Sequence, residues 1–319
     1  MLNIYSRTRF VVVSTFSQYT RRAVKRPAKW NNPIVKLFKP YLKAGLFAFI
    51  PMAHCGDNKK QNEPITTAPS YLDTENDRVA QVISESDELF KVGKFEDSYE
   101  ILKRYEDLQN HDILWRLARS LYNMSKDSSV KKADKESMII YAYKLINKAL
   151  LLNDQSGTVH KWMAILLDAK STLEGTKARI EALPKFKKHL MMAMELEPDD
   201  ATTIYILGQY CFNIASMPWY QKKIAAAVFA TPPEATFEEA LAYFTKAEEV
   251  EPNFYSLNLL MLGKTYLQLN KINAARYWLK CACSYPIRTE EDKEVKKEAE
   301  ALLKKNPAVK GEEYSPFAK

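Results

Sequence analysis

The chain has 319 residues and a formal net charge of +8, but segment 1–56 holds ten basic residues and no acidic one, which leaves 37 basic and 39 acidic residues in 57–319. A body this close to neutral argues against a general nucleic-acid-binding surface. With only 8 glycines and 4 cysteines, the composition argues against sandwiches, barrels, nucleotide-binding glycine loops and disulfide frameworks.

Segment 1–56 is basic, free of acids and rich in Ser, Thr and aromatic residues, which is typical of a mitochondrial transit peptide. It is therefore predicted to be a leader or targeting segment, with a disordered basic tail as the alternative. The apolar run 44–53 is about half of the ~20 residues that a membrane span needs. Since Pro51 also interrupts it, no transmembrane span is predicted. Residues 57–78 are polar with two prolines and predict a linker.

An internal repeat organises the rest of the chain. The phrases AMELEP at 193–198 and AEEVEP at 247–252 are near-copies, and each precedes an apolar segment centred on a glycine, Gly208 or Gly263. A second pattern of small, bulky and small residues recurs as Ala240, Phe244, Ala247 and as Ala275, Leu279, Ala282. Both patterns resemble the tetratricopeptide repeat. The sequence therefore predicts an all-α solenoid of helical hairpins.

Five such units fit into a repeat domain at 79–305. Their spacing exceeds the usual 34 residues, and we predict insertions between paired helices at 123–137, 168–182 and 216–235. A helix at 291–305, rich in Glu and Lys, is predicted to cap the array, and 306–319 is predicted to be a flexible tail. The third insertion, with Trp219, Lys223 and a Pro232-Pro233 stop, predicts an extra amphipathic helix.

No nucleophile elbow, phosphate loop, dinucleotide fingerprint or zinc-protease motif occurs in the sequence. We therefore predict that the protein is not an enzyme and has no catalytic residues, cofactor or metal. The four histidines lack partners at metal-ligand spacing, and His160 is predicted to be structural. Cys281 and Cys283 would point about 200° apart around a helix, which favours packing over zinc binding.

The remaining role is recognition. In such solenoids the first helix of each pair lines the concave face, where aromatic and cationic side chains suit an extended, partly acidic peptide or protein ligand. The candidate groove contacts are Trp115, Arg119, Tyr122, Lys161, Tyr205, Gln209 and Lys264. The alternative is that the aromatic members only pack between helices. The candidate contacts in the third insertion are Trp219, Lys222, Lys223 and Phe229.

The insertion, with the following TFEEAL at 236–241 and KAEEVEPNFY at 246–255, resembles the regulator of microtubule dynamics protein family, as do LGK at 262–264 and PIRTEED at 286–292. The resemblance covers about 79–305, and the overall length favours the family's first member over its membrane-anchored ones. It implies a non-enzymatic scaffold associated with microtubules, in the cytoplasm, cytoskeleton, spindle and spindle pole. One relative tethers endoplasmic reticulum to mitochondria and handles lipid.

Two functions are therefore predicted. The first is microtubule association, in which lysine clusters contact the acidic tails of tubulin. These clusters lie at 131–135, 185–188 and 222–223, while the near-neutral body argues against strong binding. The alternative is a mitochondrial scaffold, tether or lipid-handling module that the basic leader delivers.

Overall fold

The computed structural model describes residues 75–309 and Tyr314. Three predicted segments lie wholly or mostly outside the described residues. They are the leader 1–56 with its apolar run 44–53, the linker up to residue 74, and the tail at 310–313 and 315–319. Every regular element of 75–309 is helical. From Gln81 onward the described residues belong to one compact unit.

Twelve α-helices and one short 3-10 helix follow one another in the described part. They are α1 (Glu75–Lys91), α2 (Phe95–Lys103), the 3-10 turn Glu106–Leu108, α3 (His111–Met124), α4 (Lys132–Leu152), α5 (Gly157–Glu174), α6 (Thr176–Leu196), α7 (Ala201–Ala215), α8 (Trp219–Val228), α9 (Phe237–Val250), α10 (Ser256–Gln268), α11 (Ile272–Ser284) and α12 (Glu290–Lys305). The first helix begins four residues before the predicted start of the repeat domain.

Successive helices pack in pairs as the repeat pattern predicts. The pairs α3–α4, α5–α6, α7–α9 and α10–α11 make the most extensive contacts, and neighbouring pairs pack through α4–α5, α6–α7 and α9–α10. The last helix α12 packs on α11 and α10. Because each pair buries its apolar side against the next one, the array is the all-α solenoid with a C-terminal capping helix that the sequence predicts.

The small residues at the repeat centres allow close helix crossings. A Cβ atom added to Gly208 in α7 would lie 2.7 Å from Cδ1 of Phe244 in α9. One added to Gly263 in α10 would lie 2.7 Å from Cδ2 of Leu279 in α11. Phe244 and Leu279 are both completely buried. The bulky residue of one helix therefore occupies the space that the missing side chain of its partner leaves.

Local capping defines where several helices begin. Asp200 caps α7 by accepting from the Thr203 amide, and Thr236 starts α9 in a capping box with Glu239. A second capping box at Thr289 and Asp292 starts α12. The Asp292 carboxylate also accepts a hydrogen bond from Ser256 at 2.7 Å, which ties the start of α12 to the start of α10.

Two of the three predicted insertions do not form separate segments between paired helices. Most of 168–182 continues α5 and begins α6, and the two helices join at Gly175, whose positive φ of 105° favours glycine. Within 123–137 the helices α3 and α4 leave only a short loop, because α4 already begins at Lys132. The extra residues therefore lengthen the helices. The third insertion, 216–235, does contain the predicted extra helix, α8.

Within the described residues, none of the helices has the length and apolar character that a bilayer crossing requires.

Candidate functional site

The predicted groove aromatics lie inside the array. Tyr205 has no exposed surface, Trp115 is 8% exposed and Tyr122 is 5% exposed. Tyr122 packs edge-on against Trp162 of the next pair at 5.8 Å between ring centroids, and Tyr205 packs against Tyr255 at 5.2 Å. The packing alternative therefore describes these rings, which fill the space between successive pairs.

The predicted groove cations each have a carboxylate partner about one repeat away. Arg119 donates to Asp87 at 2.7 Å, and Lys161 pairs with Asp200 at 2.8 Å. Lys264 pairs with Glu298 of the capping helix at 2.8 Å. Each of these cations is therefore paired with a carboxylate of its own chain, which weakens the electrostatic argument for an acidic ligand, and their role as groove contacts stays a prediction. Gln209 is partly buried on α7.

Arg119 is the most enclosed of the three cations. Its guanidinium lies 3.8 Å from the ring centroid of Phe90 and 4.9 Å from that of Trp115. Burial lowers the pKa of Arg119 to about 10, although the Asp87 carboxylate opposes that shift. Burial alone would raise the pKa of Asp87, but the hydrogen bond from Arg116 and the charges of both arginines lower it. This cluster joins α1 to α3.

The first turn of α12 lies within electrostatic reach of the inner helices. Tyr255 donates a hydrogen bond to Glu291 at 2.7 Å. Burial, followed by the charges of Asp168 and Glu291, raises the pKa of Tyr122, and burial with the Glu291 charge raises the pKa of Tyr205. The buried hydroxyl of Tyr205 has no hydrogen-bond partner among the described residues. The capping helix is therefore linked through Tyr255 to the buried ring of Tyr205.

His160 and His189 form a pair that the sequence spacing does not reveal. Their Nδ1 atoms lie 2.9 Å apart, and Nε2 of His160 lies 2.9 Å from the carbonyl oxygen of Asp154. Since that carbonyl accepts a hydrogen bond from Nε2–H of His160, the neutral His160 ring accepts at Nδ1 and the Nδ1–H of His189 donates. Burial, the His160 ring and the lysines at 185 and 188 lower the pKa of His189 to about 4. The predicted structural role of His160 fits this packing.

The insertion helix α8 presents its predicted contacts at the surface. Trp219 is 70% exposed and its neighbour Tyr220 is 49% exposed. Lys222 and Lys223 are exposed, with Nζ of Lys223 5.0 Å from the Trp219 ring centroid. Phe229, just beyond the helix end, is only partly exposed. This helix packs on α6.

Exposed lysines occur on both α8 and its packing partner α6. We define the basic surface as Lys185, Lys187, Lys188, Lys222 and Lys223, all of which are exposed. None of the five forms an ion pair within 75–309. The sequence pattern identifies these lysines but does not separate them from Arg119, Lys161 and Lys264, because the pairing partners are distant in sequence.

No group of three or more His, Cys, Asp or Glu side chains in the described part could hold a metal ion. The free cysteines Cys281 and Cys283 pack at the edge of the core between α10, α11 and α12. Glu248 on α9 accepts hydrogen bonds from the Asn253 amide and from Asn258 Nδ2. Burial raises the pKa of Glu248.

The sequence model described as regulator of microtubule dynamics protein 1-3 matches residues 82–307. Regulator of microtubule dynamics protein 1 of Bos taurus is 42% identical over 226 residues, which cover 71% of each chain. Regulator of microtubule dynamics protein 3 of Mus musculus is 36% identical over 191 residues, or 60% of this chain and 40% of that one. A thermophilic TPR protein of Thermus thermophilus superposes with a TM-score of 0.49 at 13% identity, covering 70% of this chain and 98% of its own. The chain belongs to the regulator of microtubule dynamics protein family.

Proposed function

We propose that the chain is a non-enzymatic binding scaffold that associates with microtubules through the basic surface on α6 and α8. The observation that carries this proposal is the set of five exposed lysines without ion pairs in 75–309, beside the exposed Trp219 and Tyr220. The name of the matched family supplies the partner. Tubulin tails are strongly acidic, so an unpaired basic surface is the complementary chemistry.

Arg119, Lys161 and Lys264 are held by carboxylates of the same chain, whereas the lysines of the basic surface have no ion pair within 75–309. A lysine that is held by a carboxylate of its own fold must lose that pairing before it binds another anion. The lysines of the basic surface avoid that cost. Trp219 and Tyr220 add exposed aromatic area beside the charges, and such residues are enriched at protein interfaces.

The test is co-sedimentation of the full chain with microtubules at low salt. Five lysine-to-glutamine changes on the basic surface should remove about 0.3–0.5 kcal/mol each, the usual scale for exposed ion pairs. The sum of about 2 kcal/mol predicts roughly thirtyfold weaker binding. A matched control carries the same five changes at exposed lysines on other helices. The control positions are Lys246, Lys280, Lys297, Lys304 and Lys305.

The control variant has the same net charge as the test variant, so equal losses in both would mean that only total charge matters. That result would contradict the proposed surface. Binding that survives in the test variant would contradict it as well. The double change Trp219→Ala and Tyr220→Ala should weaken binding further without changing its dependence on salt, because no charge is removed.

The composition of segment 1–56 supports a second candidate function, a scaffold or lipid-handling module in mitochondria. Fusion of 1–56 to a fluorescent reporter tests the delivery. Mitochondrial signal that disappears when Arg21, Arg22, Lys25 and Arg26 are changed to glutamine would support it. A diffuse or spindle signal from the unchanged fusion would contradict it.

A further inference from the structure

The last repeat holds part of the chain's own tail as if it were a bound peptide. Asn273 of α11 donates from Nδ2 to the carbonyl oxygen of Val309 at 2.8 Å and accepts from the Val309 amide at 3.0 Å through Oδ1. Both hydrogen bonds are made to the backbone of Val309, a residue that is 43% exposed, and not to its side chain. The predicted flexible tail is therefore anchored at this residue.

A second anchor is the side chain of Tyr314. Its hydroxyl accepts a hydrogen bond from Trp278 Nε1 at 3.1 Å and donates one to the hydroxyl of Tyr266 at 3.3 Å. Its ring lies 5.7 Å from the ring of Tyr266 and 5.6 Å from that of Tyr277, both in edge-on geometry. We call Tyr266, Tyr277 and Trp278 the aromatic socket.

The socket has the properties of a specific side-chain site. The rings of Tyr266 and Tyr277 lie against the ring of Tyr314, and Trp278 Nε1 and the Tyr266 hydroxyl lie within hydrogen-bond distance of its hydroxyl. A phenylalanine guest would fill the same space but leave both hydrogen bonds unmade, at a cost of about 1 kcal/mol. The socket therefore distinguishes tyrosine from phenylalanine.

We propose that Asn273 and the aromatic socket form a binding site for an extended peptide that carries a tyrosine, and that the C-terminal tail occupies this site as an internal ligand. A backbone clamp combined with a side-chain pocket is a common arrangement in peptide recognition. This site lies on α10 and α11, apart from the basic surface, and the inference goes beyond the proposed microtubule association.

Because the tail is covalently attached, it competes with any external peptide at an effective concentration of roughly millimolar. If the tail binds the empty site with an intrinsic Kd of about 100 μM or tighter, it weakens the binding of any external peptide at this site at least about tenfold, which is the ratio of the effective concentration to that Kd. Access to the site is controlled by whether Tyr314 stays in the socket.

The experiment uses the full chain and a fluorescent peptide with the sequence of residues 306–319 as the probe. We expect the Tyr314→Ala chain to bind the probe at least about tenfold more tightly than the unchanged chain. The matched control Tyr220→Ala, which removes an exposed tyrosine from α8, should bind the probe no better than the unchanged chain. Equal binding by the Tyr314→Ala and unchanged chains would overturn the proposal.

Two further arms test the socket itself. A probe with phenylalanine in place of its tyrosine should bind the Tyr314→Ala chain roughly fivefold more weakly, the loss expected for about 1 kcal/mol. Adding Trp278→Phe to that chain should weaken the normal probe and reduce the difference between the two probes, because only the hydrogen bond to the Tyr266 hydroxyl remains. If both probes bind alike before that change, the tyrosine hydroxyl is not read and the proposal fails. Should Tyr314→Ala reduce the thermal stability, Tyr314→Phe is the milder variant, with an expected gain of roughly fivefold.

Discussion

Replacing Gly208 with alanine should destabilise the protein, although alanine is the better helix former. The added methyl would lie 2.7, 2.8 and 3.1 Å from three ring carbons of Phe244. That ring is completely buried and lies against the ring of Tyr205 at 5.7 Å between centroids. It therefore has little room to move away from the new methyl.

The magnitude follows from two opposing effects. Overpacking in a well-packed core costs about 1–3 kcal/mol, and the contacts here are at the short end of what side chains tolerate. Alanine gains about 0.8–1 kcal/mol over glycine in a helix interior. The net expectation is a loss of about 1–2 kcal/mol, which corresponds to a decrease in Tm of roughly 2–8 °C for a body of this size.

The assay is denaturant unfolding of the full chain, with Phe244→Leu as the second change of a double-mutant cycle. Leucine is smaller than phenylalanine and leaves room for the new methyl. In the Phe244→Leu background, Gly208→Ala should therefore be neutral or stabilising by up to about 1 kcal/mol. If Gly208→Ala alone stabilises by that amount, the close crossing of α7 and α9 is wrong.

Three other predictions concern buried or partly buried polar groups. Tyr205→Phe should leave the free energy of unfolding unchanged or raise it by up to about 1 kcal/mol, because the buried hydroxyl has no hydrogen-bond partner among the described residues. Thermal unfolding measures the change, and a loss above about 1 kcal/mol would contradict the absence of a partner. Folding lowers the pKa of His189 from 6.5 to about 4, so the unfolded chain takes up a proton first and the free energy of unfolding decreases as the pH falls from 6.5 towards 4. After allowance for the partial exposure of His189, this decrease is about 1 kcal/mol. His189→Phe should flatten the dependence of the free energy of unfolding on pH over that range. Asp87→Asn should lower the free energy of unfolding by about 2 kcal/mol, since it leaves the arginines at 116 and 119 without their shared carboxylate. Urea titration measures this loss, and Glu85→Gln at an exposed position of the same helix should cause no measurable change.

The repeat core could be predicted from the sequence because its packing is periodic. Gly208 and Phe244, and likewise Gly263 and Leu279, hold fixed positions in the repeat, and these positions meet at each helix crossing. The extra helix in the third insertion was also predictable, from its amphipathic pattern and the following prolines. The lengths of α5 and α6 were not, because Gly175 alone separates two helices where a longer loop was expected.

The candidate site was less predictable, since it depends on the angle between successive pairs. That angle decides whether a ring such as Tyr205 faces a ligand or the next pair, and the structure places it inside. The ion pairs of Lys161 with Asp200 and of Arg119 with Asp87 join neighbouring pairs of helices. Opposite charges about one repeat apart were a signal in the sequence that could have indicated this neutralisation.

The contacts of the C-terminal tail were not predictable either, because they join residues far apart in the sequence. Its composition, with Pro307, Gly311 and Pro316, predicts flexibility. The structure instead anchors Val309 and Tyr314 through side chains of α10 and α11. The tail sequence itself does not indicate these contacts, because their partners Asn273 and Tyr266 lie more than thirty residues earlier in the chain.

The most direct test of the proposed function compares binding of the full chain to intact microtubules and to microtubules whose acidic tubulin tails have been removed by protease. If the basic surface of α6 and α8 contacts those tails, removing them should weaken binding by about as much as the five lysine-to-glutamine changes, and the two losses should not add. Equal binding to both kinds of microtubule, or a further loss when the lysine variant meets the tail-less ones, would contradict the account.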